Sequence, residues 1–562
     1  MSDISTFAAP GPGGWDLDRS HYFGGTTAIS QWLMEHCCEA GMRRAFTEFG
    51  IPADTFQARF VHGFMYTRLR PLVAPNKPAT KAPPILVLKV ASRLHPEFRR
   101  RSRQAAKTLA ERPWRAVAAD WVTTLRPQLE TANLAFQDVD LSGLDDLALA
   151  GHVVDLLAHL RRTFEQHFYL HAFDLGPIGL LLFEARAWGL TAQEVIPALE
   201  GASPSTGEPA RALARIRALI PSTGPRPTSI AELRAVSAEL TDALDDYLRL
   251  RGWIMFSRYD LEGLTLHEAP EVLLATVLHG AEQHQGGADR AQAAASALRA
   301  RVPETSRARF DELLGEARAA MDLRDDNGPN TVEWPVGLLR RGLLEAGRRL
   351  AGRDRIELAT DMFELGPEEV AAMIGAGDGP SGVELVERRG HRLANAQLAP
   401  PAHLGPVEVD PPLSALPAPL ATMVGVVNAV RVEMGMTAAA PTAGRGGAHS
   451  ATLPGRGLHG VGVGAVSYEG RARVALSPED AFTSMEPGDV LVVRATSPAY
   501  NTVLSLAGAV VTADGGPLCH AAVLARELGI PGVIGAAGAL EEIPDGAIIR
   551  VDPAAGRVTV LS

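Results

Sequence analysis

Three cysteines in 562 residues, Cys37, Cys38 and Cys519, are too few for a disulfide framework and lack any metal-ligand spacing. That scarcity fits a reducing, cytoplasmic setting, and no metal is expected from motif. No G-x-x-x-x-G-K-[ST] phosphate loop is present. The N-terminal MSDISTFAAPGPGGW lacks a basic and then apolar leader, so no signal peptide is expected. No run approaches the roughly 18 apolar residues of a membrane span, GPIGLLLF (176–183) being far too short. With 54 basic against 65 acidic residues the net charge is -11, which argues against nucleic acid or an anionic membrane as partner. No short-period repeat stands out. One G-x-G-x-x-G string, Gly455 to Gly460, follows a Gly/Pro stretch and precedes a β pattern, the wrong context for dinucleotide binding.

What is present is concentrated between Gly508 and Gly535. Val510, Val511 and Thr512 form a β-branched run that reads as a strand. It breaks at Asp514-Gly515-Gly516, where two glycines permit a tight turn and close approach of a ligand to the backbone. Ala521, Leu524, Ala525 and Leu528 then fall at i, i+3, i+4 and i+7, an apolar stripe of helical period starting near His520. Gly529 and Pro531 stop it. The spacing therefore predicts a histidine at the first turn of a helix behind a glycine turn. There the free N–H groups and the helix dipole favour an anion, phosphate above all.

This string resembles the phosphohistidine signature of the phosphoenolpyruvate-utilising enzymes, the group that includes the rifampicin phosphotransferases. The strand, the GG turn, His-Ala-Ala, the Ala-Arg-Glu-Leu-Gly-Ile-Pro tail and the closing Val-Ile-Gly all carry the likeness. The resemblance implies that His520 is the phosphorylated residue, with Gly515, Gly516, Cys519 and Arg526 around the phosphate. Leu518 stands where dikinases regulated by phosphorylation have Thr, so that control is not implied here. A second likeness lies near the start. W-x-x-D-x-S-H (Trp15 to His21) and F-V-x-G-x-x-Y (Phe60 to Tyr66) resemble the segment after the nucleotide domain in rifampicin phosphotransferase-like chains.

Between about 95 and 370 helical patterns dominate, over 97–126, 144–172, 191–199, 229–250, 289–301, 304–321 and 335–351. The intervening stretches RGWIMFSRYDLEGLTLHEAPE (251–271) and LRDDNGPNTVEWP (323–335) read as loops, similar to loops of the family's substrate domain. Residues 437–457 read as a flexible linker. The last hundred residues alternate short β patterns around the His520 helix.

The expected fold class is thus multidomain α+β. A mostly helical substrate-binding domain (1–395), a Pro/Ala/Gly-rich linker with one short helix (396–456) and a β/β/α swivelling phosphohistidine domain (457–562) follow one another. The resemblance implies a phosphotransferase subunit without its own ATP-grasp domain. His520 would then carry a phosphoryl group from a separate ATP-grasp protein, with its ATP and Mg²⁺, to a hydroxylated small molecule. Arg324 and Asp260 are the further catalytic candidates, and Tyr259, His62, Asn327 and His21 the substrate-side ones, with His167, His171 and His267 as additional polar candidates. Two alternatives stay open: an ATP-independent dehydratase with His520 as general acid/base, and a scaffold without chemistry.

Overall fold

The computed structural model describes residues 6–18, 21–22, 24–78, 80–81, 84–280, 287–375, 378–409, 412–434, 457–464, 466–496 and 500–561. Residues 410–411 and 435–456 of the expected linker, Gly455 among them, and Ser20 of the quoted motif lie outside these residues. The architecture is multidomain α+β, in two compact units that are each discontinuous in sequence. One gathers residues 1–176, 258–263 and 326–425, the other 177–257, 264–325 and 426–562.

The first unit holds a small antiparallel sheet in the order β2-β3-β1-β4, from β1 (Trp15–Leu17), β2 (Ala53–Val61), β3 (Phe64–Pro71) and β4 (His403–Leu404). β2 and β3 form a hairpin whose two turn residues are His62 (φ 53°) and Gly63 (φ 78°). Both left-handed conformations are what a two-residue turn matching the strand twist requires. Trp15, Phe64, Tyr66 and Leu404 form its apolar cluster. Helix α1 (Ala28–Phe49) stops at Gly50, in the left-handed conformation.

The long helix expected to end at Ala172 continues. α2 spans Asp146–Ala187 and takes Pro177 into its interior. Among the described residues it is long and apolar enough to cross a membrane by length and composition, and 61% of its most apolar window is buried inside the protein. A second correction concerns 323–335, read from its Gly-Pro and Asn content as a loop. It is helical throughout: α3 (Arg307–Gly328), a π-helical turn (Pro329–Glu333) and α4 (Trp334–Ala351) follow without a gap. Gly328 keeps right-handed helical angles, and Pro329 opens the wider π turn, where its missing N–H is tolerated. Residues 251–271, in contrast, are irregular as expected, with one β-bridge between Met255 and Thr265. Helices Ile85–Leu94, Arg126–Gln137, Pro204–Ala218, Pro270–His279 and α5 (Gly382–Ala396) fall outside, or run on from, the ranges expected to be helical. α6 (Ala418–Glu433) is the island expected near 420.

The C-terminal sheet has eight strands: β5 (Leu458–His459), β6 (Val461–Val463), β7 (Tyr468–Ala475), β8 (Val490–Val493), β9 (Ala509–Thr512), β10 (Gly532–Ile534), β11 (Ile548–Asp552) and β12 (Arg557–Val560). Their order is β5-β12-β11-β7-β8-β9-β10-β6. β7, β8, β9 and β10 run parallel, and β6 and β11 flank them antiparallel. β8, β9 and β10 are buried along their whole length, as uninterrupted Val runs require in a parallel sheet covered on both faces. Helix α7 (His520–Leu528) connects β9 to β10.

Candidate functional site

The loop between β9 and α7 is built as its spacing predicts. Gly515 sits at φ +119° and Gly529 caps α7 at φ +69°. The close approach at Gly516, however, is to the chain itself. A Cβ there would lie 2.5 Å from the carbonyl oxygen of Glu433, at the C-terminal end of α6. Two residues on, the Leu518 N–H donates to that same carbonyl at 3.0 Å. The glycine turn thus packs against a helix end, which fixes the start of α7.

His520 is half-buried at the first position of α7, behind the cap residue Cys519. Its Nδ1 is 2.9 Å from the Thr496 hydroxyl, just after β8. A ring held at Nδ1 directs its chemistry to Nε2. Burial pushes the Cys519 thiol above its usual range, so it is a neutral packing group here, although helix N–H groups partly counter that shift. Arg526, one and a half turns along α7, donates to the carbonyls of Pro517 (2.8 Å) and Ala522 (3.2 Å). Burial lowers its guanidinium to about 10. Its cation therefore braces the loop from behind.

Arg324, on α3, reaches the same loop. Its Nη2 donates to the Leu518 carbonyl at 2.9 Å, while Nη1 pairs with Asp325 at 2.9 Å. Asp325 in turn accepts from the Thr206 hydroxyl at 2.8 Å. Glu527, beside Arg526, accepts from the Gly201 N–H at 2.9 Å, and burial raises its carboxyl to about 7. Asp325, Thr206, Thr496 and Glu527 were not singled out from sequence. Asp325 adjoins a chosen residue and Glu527 lies in the quoted signature; the other two have no local signal.

Apart from His267, the remaining candidates belong to the other compact unit. Asp260 does not present a free carboxylate. It is 4% exposed and accepts from the Thr27 N–H (2.9 Å), the Thr27 hydroxyl (3.1 Å) and the Glu262 N–H (3.0 Å). It therefore clamps the start of α1 to the 258–263 segment, a structural duty that the catalytic expectation had not weighed. Tyr259 next to it lies with its ring 5.7 Å from that of His21. Burial, then Glu333, holds the Tyr259 hydroxyl well above its ordinary range. His21 pairs with Asp18 at 2.9 Å. Asn327 donates to the His167 carbonyl at 3.2 Å. His62 stands apart from this group, lining a cavity of about 450 Å³ with Gln31, Glu387, Arg388 and His391. His267 is in the other unit from these, its ring 4.6 Å from Trp253. Among the described residues no group of three or more His, Cys, Asp or Glu side chains gathers as a metal site.

Residues 485–556 match the family described as PEP-utilising enzyme, mobile domain. The chain is 46% identical over 89 residues to phosphoenolpyruvate synthase of Aeropyrum pernix, covering 16% of this chain and 11% of that protein. It is 41% identical over 109 residues to rifampicin phosphotransferase of Bacillus cereus, covering 19% and 12%. Chondramide synthase cmdD of Chondromyces crocatus aligns over 579 residues at 26% identity, covering 97% of this chain and 14% of that protein. The chain thus spans between 11% and 14% of the length of these relatives. These likenesses place residues 485–556 in the mobile-domain family of the phosphoenolpyruvate-utilising enzymes.

Proposed function

We propose that this chain is the carrier and acceptor part of a phosphotransferase. His520 Nε2 attacks a phosphorus of ATP held by an ATP-grasp protein with Mg²⁺, and the P–O bond to the nucleotide breaks. A hydroxyl oxygen of a small molecule then attacks the same phosphorus, the N–P bond breaks, and His520 is regenerated. The hydroxyl proton leaves to a base. The observation that carries this reading is the hydrogen bond between Thr496 and His520 Nδ1 at the dipole end of α7. With Nδ1–H donated to the Thr496 oxygen, the lone pair resides on Nε2, the form that a nucleophile needs. The N-terminal end of α7 also favours the anionic phosphoryl group. Arg324, fixed on the loop carbonyl, adds a cation to the same unit. The residues expected to face the acceptor, Tyr259, His21, Asn327 and His62, lie in the unit that contains α1.

The test is the intact mass of the pure chain with ATP, Mg²⁺ and candidate ATP-grasp proteins. The expected result is a gain of one phosphate, labile in acid and absent in His520→Ala. A chain that stays unmodified with every such partner, or a phosphate that survives in His520→Ala, removes the carrier role.

A further inference from the structure

One helix of the first unit is turned inside out. Helix Ile85–Leu94 carries Leu86, Val90 and Leu94 at i, i+4 and i+8, with Val87 beside them, so the four share one face. They are exposed at 72%, 56%, 69% and 56% respectively. The face turned to the protein holds Leu88, partly covered, and Ser92, which is 3% exposed and donates its hydroxyl to the Ala415 carbonyl at 3.0 Å. A helix that packs on a core puts its apolar stripe inward and its hydroxyls outward. Here the order is reversed. Contiguous aliphatic side chains on the outside mark a face made for contact with something else.

The charge around that face has one sign. The net charge of the chain is -11, yet from Lys77 to Lys107 nine Lys and Arg residues stand against one carboxylate, Glu97. Glu97 is committed to Arg100 and to the buried Arg101, at 3.0 and 3.2 Å. Lys107 is 3.8 Å from Glu111. Lys89, Arg93, Arg99 and Arg103 are all exposed. Lys89 and Arg93, one turn apart, run along the flank of the aliphatic stripe, where long side chains hold their charge at its edge. Arg99 and Arg103 are also one turn apart, on the next helix, Pro96–Glu111, which packs through Arg101, Ala105 and Thr108 instead.

What covers such a face must be anionic outside and apolar within. A second copy in a two-fold pair would set the cationic patch against itself, which like charge opposes. Residues 435–456 contain no acidic residue and two arginines, so that stretch of the chain does not supply the cover. The stripe is purely aliphatic, without the Trp and Tyr anchors that protein interfaces concentrate. The cations precede, flank and follow the helix over residues 77–107, wider than the stripe itself. An anionic lipid surface meets all of these terms, being a continuous negative plane with hydrocarbon beneath it.

We propose that helix Ile85–Leu94 is an anchor that lies in the plane of an anionic lipid surface. Leu86, Val87, Val90 and Leu94 enter between the acyl chains, and Lys89, Arg93, Arg99 and Arg103 sit among the headgroups. The helix is ten residues long, so it lies on the surface and does not span it. The negative charge of the whole chain opposes this contact only weakly, because salt screens charges beyond about 10 Å. The contact is local and independent of His520.

The probe is a phosphatidylcholine vesicle, with or without phosphatidylserine, sedimented with the full chain. Binding is expected to be stronger by about tenfold or more with phosphatidylserine, and to fall as salt rises. Leu86→Gln with Leu94→Gln should abolish it without moving the melting curve, because both side chains are already in water. Arg99→Gln with Arg103→Gln should weaken it. No binding to the phosphatidylserine vesicles, equal binding to both kinds, or binding that survives the leucine change overturns the proposal. Two further results overturn it by naming another occupant. A dimer in sedimentation equilibrium that the leucine change dissociates gives the face to a second copy. Binding to polyglutamate as tight as to the vesicles gives it to an acidic protein. If the leucine variant unfolds, hydrogen exchange of the unaltered chain decides. The amides of residues 85–94 are expected to slow on phosphatidylserine vesicles, and unchanged exchange overturns the anchor. No ATP or acceptor is present, so a failure here is distinct from a failure of the carrier reading.

Discussion

Arg324 Nη2 donates to the carbonyl of Leu518, 2.9 Å away and two residues ahead of His520. A side chain on a helix thus holds the backbone of the loop that leads into His520. Its other terminal nitrogen is committed to Asp325. Arg324→Ala is expected to leave charging of His520 measurable but to slow transfer to the acceptor by about 100-fold, the typical loss for removing one charge-stabilising donor. Arg324→Lys, which cannot span both partners, should recover only part of it. Decay of the acid-labile phosphate in the presence of acceptor measures this. Unchanged decay in Arg324→Ala confines the residue to packing.

Gly516 has no room for a side chain. An alanine Cβ would meet the Glu433 carbonyl at 2.5 Å, and neither backbone can retreat without breaking the Leu518–Glu433 hydrogen bond. Gly516→Ala is expected to destabilise the second unit by about 1–3 kcal/mol, the usual cost of overpacking. A urea unfolding midpoint followed by near-UV circular dichroism reads it. The same change at Gly390, where nothing lies within 4 Å, should be neutral or slightly stabilising because it sits in a helix.

Asp260 separates clamping from catalysis. Asp260→Ala removes the acceptor for three donors at once and leaves the Thr27 N–H, at the start of α1, without its partner. The expected loss is about 2–4 kcal/mol of stability, since hydrogen bonds to a buried charged group are each worth about 1.5–3 kcal/mol and are not additive. Phosphoryl transfer per folded molecule should remain at the wild-type level. Loss of transfer in a variant with a wild-type melting curve would restore Asp260 to the catalytic set.

Glu527 gives stability a pH slope in an unusual sense. Burial raises its carboxyl to about 7 in the folded chain, so the folded state binds a proton that the unfolded state, at 4.5, releases earlier. The associated stability is fully present below pH 4.5 and disappears as pH rises through about 7. A shift of this size corresponds to about 3 kcal/mol at most. Glu527→Gln keeps the shape and an acceptor for Gly201 N–H but has no proton to lose. The difference in urea midpoint between pH 5 and pH 8 should therefore shrink in the variant. An equal difference in both chains would show that Glu527 stays ionised when folded.

Local chemistry was enough to read the strand, turn and helix around His520, because each step rests on residues close in sequence. Val510 to Thr512 can only pack as a buried strand, Gly515 alone accepts its left-handed angle, and Ala521 to Leu528 repeat at helical period. The same reasoning failed at 323–335, where Gly-Pro suggested a break and tertiary packing carried the helix through a π turn. It failed also at α2, where Pro177 and the glycine before it were absorbed into the helix interior.

What residues in sequence could not reveal are the partners that arrive from far along the chain. Thr496 reaches His520 across 24 residues, Arg324 reaches Leu518 across 194, and Glu333 and His21 converge on Tyr259 from opposite parts of the chain. Periodicity and turn chemistry constrain only near neighbours, so the sequence alone pointed to His520 and determined the local structure that displays it. Which side chains hold that histidine, and which carboxylate is a clamp rather than a catalyst, depended on long-range packing and hydrogen bonding. Those are decided only when the apolar faces of distant helices and strands find one another.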